Sequence, residues 1–224
     1  MALRLMDGET WGIIAVTLRL TLTSAAVSAV LGTFLGLSLE KAAFPGKGAV
    51  VRINRTLMGM PPVVMGLLVY LALMRKGPFG FLGILFTVEA MTVAQVLIIT
   101  PIVCGMVYSA ARQNADRIRA FGKTMGADGF QARVLLVREL GGDIYFAAIT
   151  GFGRAISEVG AVMIVGGNIR NKTRTMTTAI TLLRNNGNYA EAVTMGIALL
   201  IIAFAIQTTS DRLRGREPRF DENY

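Results

Sequence analysis

Histidine is absent from this sequence, and cysteine occurs once, at Cys104, within an apolar run. Disulfide frameworks and His/Cys metal sites are thereby excluded, and Cys104 reads as a packing residue. Charge is scarce as well: Asp, Glu, Lys and Arg make up 17% of the chain, against a hydrophobic fraction of 53%. A composition of that kind lies outside the soluble range and calls for a non-aqueous solvent. The chain lacks Ser/Pro linkers and internal repeats of about 20 to 50 residues, which points to one integral membrane domain. Its 23 basic residues outnumber 14 acidic ones, but they fall between apolar runs rather than along one polar surface. Membrane topology explains them better than nucleic acid does.

A hydrocarbon core about 30 Å thick needs about 20 apolar residues in a helix. Uncharged runs at Leu20 to Leu39, Ala90 to Ala111 and Ala192 to Ser210 meet that length. Thr56 to Met74 is a fourth candidate despite Pro61 and Pro62, because membrane helices tolerate proline when neighbours satisfy the freed carbonyls. The fifth, Ile144 to Ile169, carries Arg154 and Glu158 within it. The expectation is an all-α protein with five transmembrane helices, at about 17–39, 54–75, 88–111, 144–167 and 191–210, within a membrane domain covering 13–210. Pro78 to Val88 is too short to cross and leads into the third span.

At the N-terminus, Asp7 and Glu9 stand against Arg4, the wrong balance for a secretory signal, so the first run is expected to remain as an anchor. Orientation follows from Lys and Arg. The loop 40–55, the loop 112–143 and the tail 211–224 together bring fourteen to one side, and the other side receives seven. The positive-inside rule then places the external segment 1–12 outside and the polar tail in the cytoplasm.

The longest cytoplasmic loop, 112–143, describes two short helices with a corner between them. Gly126 supplies a left-handed helix end, and Asp128 followed by Gln131 forms a capping box. A hairpin tied to two spans suits force transfer from a partner protein; a solvated connector is the alternative. Gly122, Lys123 and Thr124 spell the end of a phosphate-binding loop, but its earlier glycine would fall at Arg117 and no buried strand precedes it. ATP binding by this chain is not expected. A DNA-binding helix-turn-helix is improbable in a segment tethered between two spans.

Arg154 and Glu158, at i and i+4, are expected to share one helix face and to neutralise each other where either alone is costly in lipid. That face either lines a pathway for an anion or orients the helix through an internal ion pair. A catalytic reading lacks a second carboxylate, a nucleophile or a metal-ligand set. Gly32 and Gly36 form a GxxxG pair in the first span, read as packing. In the external segment 168–190, Gly167 and Asn168 end a helix where exposed N–H groups could cradle an oxyanion. Beyond them Met176, Ala179, Ile180 and Leu183 form an apolar stripe near Arg170, Lys172, Arg174 and Arg184. The stripe suggests a helix at the membrane surface, either at an anion entrance or anchored among headgroups.

The corner segment Ala120, Phe121, Gly122, Lys123, Thr124, Met125, Gly126, Ala127 and Asp128 resembles the EAA loop of type I ABC importer permeases, aligned on Gly126 with Leu136 at the later Ile position. The stretch Thr150 to Ile180, TGFGRAISEVGAVMIVGGNIRNKTRTMTTAI, resembles the tungstate branch of that family and, more loosely, molybdate permeases. The likeness runs from Thr17 onward and includes Gly-Met-Pro-Pro of the second span and Gln95 and Pro101 of the third. It implies the permease fold of that family in a bacterial or archaeal inner membrane. The partners it implies are a second copy of the chain, two cytoplasmic ABC ATPases that bind ATP and Mg, and an external oxyanion-binding protein. The chain would hold no cofactor and would not be an enzyme. An importer for molybdate, sulfate or another oxyanion is the nearest alternative, and a membrane enzyme or scaffold a more distant one.

Overall fold

The computed structural model describes residues 8–213, all helices and turns within that range. Helix α1 (Gly8–Lys41) is followed by α2 (Lys47–Met58), α3 (Pro62–Leu73), α4 (Val88–Thr124), α5 (Gln131–Glu139), α6 (Gly141–Ile156), α7 (Gly160–Gly166), α8 (Met176–Asn185) and α9 (Tyr189–Leu213). Three helices, α1, α4 and α9, are long and apolar enough to cross a membrane. The pairs α2/α3 and α6/α7 could each make one further span, bent by 104° and 58°. The external segment expected at 1–12 is already helical from Gly8. Most of the expected tail, 214–224, lies outside the described residues.

The second expected span is not one continuous helix but a bent pair, α2 and α3. A residue that precedes proline is pushed out of the helical region, and Pro61 precedes Pro62. Pro61 accordingly takes extended angles (φ −61°, ψ 127°) and a new helix starts with Pro62 at its first turn. Each half has 12 residues, about 18 Å, short of the hydrocarbon thickness. The fourth expected span is likewise broken, at 157–159, where α6 stops and α7 begins.

α1 packs along α4 through a row of small and hydroxyl residues: Thr17, Thr21, Ser24, Ser28, Gly32 and Gly36 are all buried. In lipid, helices gain nothing by hiding apolar surface from each other, so small residues that let backbones approach carry the association. A Cβ on Gly36 would stand 2.8 Å from the Cys104 carbonyl oxygen, and one on Gly32 2.6 Å from Val103 Cβ. The GxxxG pair is thus a packing device within the chain, and Cys104 is buried beside it. The two helices run in parallel, joined by ion pairs at both ends: Arg19 with Glu89 (3.1 Å) and Glu40 with Arg119. Between Arg19 and Glu40, α1 has 20 uncharged residues, about 30 Å of helix and one hydrocarbon thickness.

The polar centre of this bundle is Gln95, fully buried. Ser24 Oγ donates to its Oε1 (2.6 Å), and its Nε2 donates to the Ala155 carbonyl (3.0 Å), joining α1, α4 and α6. α3 meets α7 at Gly66, where a Cβ would lie 2.6 Å from Ala161 Cα.

The chain divides into two compact units, 1–178 and 179–224, with α8 passing from one into the other. Within the second, α8 ends at Gly187 (φ 79°), where Asn188 N–H reaches the Leu183 carbonyl at 2.9 Å. α9 then follows, its Val193, Ile197, Leu200, Ile201 and Phe204 exposed as expected of a lipid-facing helix.

Candidate functional site

Three groups of candidate residues lie at different levels of the fold. At the corner, the first helix of the expected hairpin is not a separate short helix. It is the end of α4, a continuous 37-residue helix about 55 Å long. The corner itself is tightly specified. Gly126 sits at φ 78°, Ala127 N–H donates to the Gly122 carbonyl at 2.9 Å and Gly126 N–H to Lys123 at 3.0 Å, the paired bonds of a Schellman helix end. Asp128 Oδ1 then accepts the N–H groups of Phe130 (2.8 Å) and Gln131 (2.7 Å), while Gln131 Oε1 accepts the Asp128 N–H (2.9 Å). This reciprocal capping box starts α5.

Leu136 and Leu140 of α5 and its exit pack with Ala111, Ala115 and Ile118 of α4, which locks the hairpin. Of the nine corner residues only Gly122 is fully buried; Ala120, Phe121, Lys123, Thr124, Met125, Gly126 and Asp128 are exposed and Ala127 is half-buried. Phe121, Met125, Phe130 and Val134 open a largely apolar cleft of about 450 Å³. Exposed aromatics and a methionine around a cleft mark a protein-binding surface. Gly122, Lys123 and Thr124 close a helix here, whereas a phosphate-binding loop must open one, so the geometry argues against nucleotide binding at this motif.

Arg154 and Glu158 do not share a helix face. Arg154 lies in the last turn of α6, and Glu158 stands in the break after it. They nevertheless meet, Nη2 to Oε2, at 3.7 Å. The Glu158 side chain is 4% exposed and that of Arg154 39%. Glu158 Oε1 accepts the Ala161 N–H (3.2 Å) and so caps α7, and its carbonyl accepts the Thr177 hydroxyl (3.1 Å). The break was not legible as such, because a glutamate four residues after an arginine is read as a helical pair. Its capping bond instead competes with continuation of α6. Both side chains border a narrow crevice with Gln95 and Ile98 of α4, about 9 to 14 Å along that helix from Glu89. That is inside the hydrocarbon zone bracketed by the two ion pairs.

In the outer loop, Gly167 (φ 70°), Asn168 (φ 50°) and Asn171 (φ 58°) turn the chain sharply. Several N–H groups after the helix end are bonded within the loop: Ile169 N–H donates to Thr173 Oγ1 (2.9 Å), and the N–H groups of Lys172, Thr173 and Arg174 all converge on the Ile169 carbonyl. Arg170 and Arg174 both bind Glu9 of α1, at 2.9 Å (Nε) and 3.2 Å, and Arg174 also reaches Asn168 Oδ1 (3.3 Å). Among the described residues, Lys172 has no such carboxylate partner, unlike Arg170 and Arg174. Met176 to Thr178, at the start of α8, are buried rather than laid on a surface, and Thr17 Oγ1 accepts the Met176 N–H at 2.9 Å.

Residues 28–216 match the family model described as "Binding-protein-dependent transport system inner membrane component". The chain belongs to this family of ABC transporter permeases. It is similar to the tungstate uptake system permease protein TupB of Peptoclostridium acidaminophilum, 44% identical over 186 residues, which are 83% of this chain and 80% of that protein. The corresponding protein of Campylobacter jejuni subsp. jejuni serotype O:2 is 31% identical over 76% of this chain and 72% of its own length. The molybdenum transport system permease protein ModB of Azotobacter vinelandii is 28% identical over 84% and 89%. Among the described residues no group of three or more His, Cys, Asp or Glu could hold a metal ion.

Proposed function

We propose that this chain is the membrane-spanning subunit of an ATP-driven importer that passes a small oxyanion, tungstate foremost, by alternating access. The observation that carries the substrate class is the 44% identity to a tungstate permease across four fifths of both chains. Identity to a molybdenum permease is lower, 28%, over a similar extent, which favours tungstate within a group of related permeases. Molybdate and sulfate remain the competing substrates because oxyanions of equal charge differ little in what a few dipoles can distinguish.

In this reading two copies form the pathway, and an external binding protein delivers the anion. Two ABC ATPases, which hold the ATP and Mg, dock on the EAA-type corner at Ala120 to Asp128. The apolar cleft beside Phe121, Met125 and Phe130 supports that docking. The five-span topology with the N-terminus outside rests on the Lys/Arg distribution. Arg154 is the residue nearest to a pathway role: an arginine 39% exposed at hydrocarbon depth must face protein or water, not lipid. At the outer loop, Gly167, Asn168, Arg170, Lys172 and Arg174 have a mainly structural role, since Glu9 offsets two of the cations.

The test has two arms. Purification of the tagged chain from its native host should recover an ABC ATPase in stoichiometric amount, and its absence would overturn the importer reading. In a strain deleted for this chain, tungstate uptake should be lost and restored by complementation, with molybdate a weak competitor; equal loss of molybdate uptake would move the substrate assignment.

A further inference from the structure

α2 bears three basic residues, Lys47, Arg52 and Arg55, and no acidic one. It leaves the bundle at 104° to α3, is amphipathic and has no buried residue. A basic amphipathic helix bent away from α3 suits the interfacial end of the α2/α3 crossing.

One face of α2, at Val51, Asn54, Arg55 and Met58, stands opposite Ser109 and Arg112 of α4 across a cleft of about 470 Å³. The spacing i, i+3, i+4, i+7 is that of a single helix face. Asn54 Nδ2 donates to the Pro101 carbonyl (3.1 Å), which holds α2 against α4 at one end of the cleft. None of the ten lining residues is acidic. Arg112 makes one polar contact, to the Tyr108 hydroxyl at 3.1 Å, and neither Arg55 nor Arg112 has a carboxylate partner among the described residues. By contrast Arg19, Arg119, Arg154, Arg170 and Arg174 are all paired.

The level of the cleft is fixed by the helices that line it. Its residue Leu39 is the last of the uncharged run of α1, and Arg112 directly follows the uncharged run of α4, Ala90 to Ala111. Two unpaired guanidiniums, an amide and a hydroxyl therefore converge where the hydrocarbon ends and the phosphate layer begins, on the side richer in Lys and Arg. Guanidinium is the donor best matched to phosphate oxygens.

We propose that this cleft binds the headgroup of an anionic phospholipid, its phosphodiester held by Arg55 and Arg112. The bound lipid would brace α2 against α4. The proposal rests on the membrane reading of the chain but not on the identity of the transported anion, and its test does not measure transport.

The purified full-length chain, delipidated in detergent, would be titrated with phosphatidylglycerol or phosphatidylcholine and the retained lipid counted by native mass spectrometry. Phosphatidylglycerol should be retained about 30-fold more strongly, each arginine contributing about fivefold. The double variant Arg55→Gln/Arg112→Gln should reduce this to the phosphatidylcholine level, and Arg52→Gln, on another face of α2, should leave it unchanged. Ser109→Leu fills the cleft without altering charge and should also abolish the preference; if the double variant cannot be purified, Ser109→Leu decides alone. A preference that survives these changes, or equal retention of both lipids, overturns the proposal. Displacement of phosphatidylglycerol by inorganic phosphate or tungstate would also overturn it, in favour of a site for the free oxyanion.

Discussion

Replacement of Arg154 by alanine tests whether the charged pair at the α6/α7 break is a structural unit. Glu158 is the buried partner, with 4% of its side chain exposed, and it carries two tasks at once: the ion pair with Arg154 and the cap on Ala161 N–H. Breaking a fully buried pair costs about 3 to 5 kcal/mol, because the remaining charge is stranded. Here Arg154 is 39% exposed and the contact is 3.7 Å, longer than a charge-assisted hydrogen bond. The expected loss for Arg154→Ala is therefore smaller, about 2 kcal/mol. Glu158→Gln removes the charge but retains an oxygen to accept the Ala161 N–H, so its expected cost is about 1 kcal/mol. In the double variant no charge is stranded, and the loss should fall below the sum of the two by at least about 1 kcal/mol. Thermal unfolding of the purified variants in detergent, together with membrane abundance, gives the cycle. Strict additivity would refute the claim that the two groups are coupled. Abundance restored in the double variant without uptake would assign Arg154 to the pathway as well, whereas restored uptake would leave it a purely structural role.

Gly126→Val places a β-branched residue at φ 78°, at a cost of about 1 to 2 kcal/mol concentrated in the corner. Uptake should fall by more than tenfold while the ATPase stays bound and hydrolyses ATP, as measured in proteoliposomes of the whole complex; unchanged uptake would remove the corner from coupling. Gly66→Val puts a side chain 2.6 Å from the Ala161 backbone, where nothing can rotate aside. A loss of about 2 to 3 kcal/mol and a matching fall in membrane abundance are expected, and wild-type abundance would show that α3 and α7 are free to separate.

The three long helices were legible because length and hydropathy alone select them, and the corner was legible because Gly126, Asp128 and Gln131 act through local backbone bonds. What escaped was of two kinds. The first is where a helix yields to a competing local bond. An uncharged run through Pro61 and Pro62 satisfies a length criterion, yet the extended preference of the residue before proline decides the geometry. Glu158 likewise looks like the second member of a helical pair until its carboxylate is seen to cap α7. The second kind is the long-range partner. Glu9 is 161 residues from Arg170, and nothing local marks it as the group that offsets an outer-loop cation. The continuous α4 was missed for a further reason: charge at Arg112 ends a hydrophobic run but not a helix, since arginine is among the better helix formers.

That continuity bears on how force applied at the corner would reach the charged pair. α4 is one helix from Gly122 to Gln95, about 40 Å long, with one bond of its ladder missing at Pro101, and Gln95 is bonded to the Ala155 carbonyl directly beside Arg154. On the other arm, α5 and α6 are separated by one residue, Leu140, itself buried, with Leu140 N–H on Leu136 and Ile144 N–H on Leu140. Neither arm contains a loop long enough to absorb a displacement. Compliance lies instead at the two breaks, 59–61 and 157–159, where the backbone leaves helical hydrogen bonding. Hinges are the few element-terminal residues that take up such changes. A movement of the corner carried along α4 and α6 would reach the break that holds Glu158, where the backbone can yield and its distance to Arg154 would change.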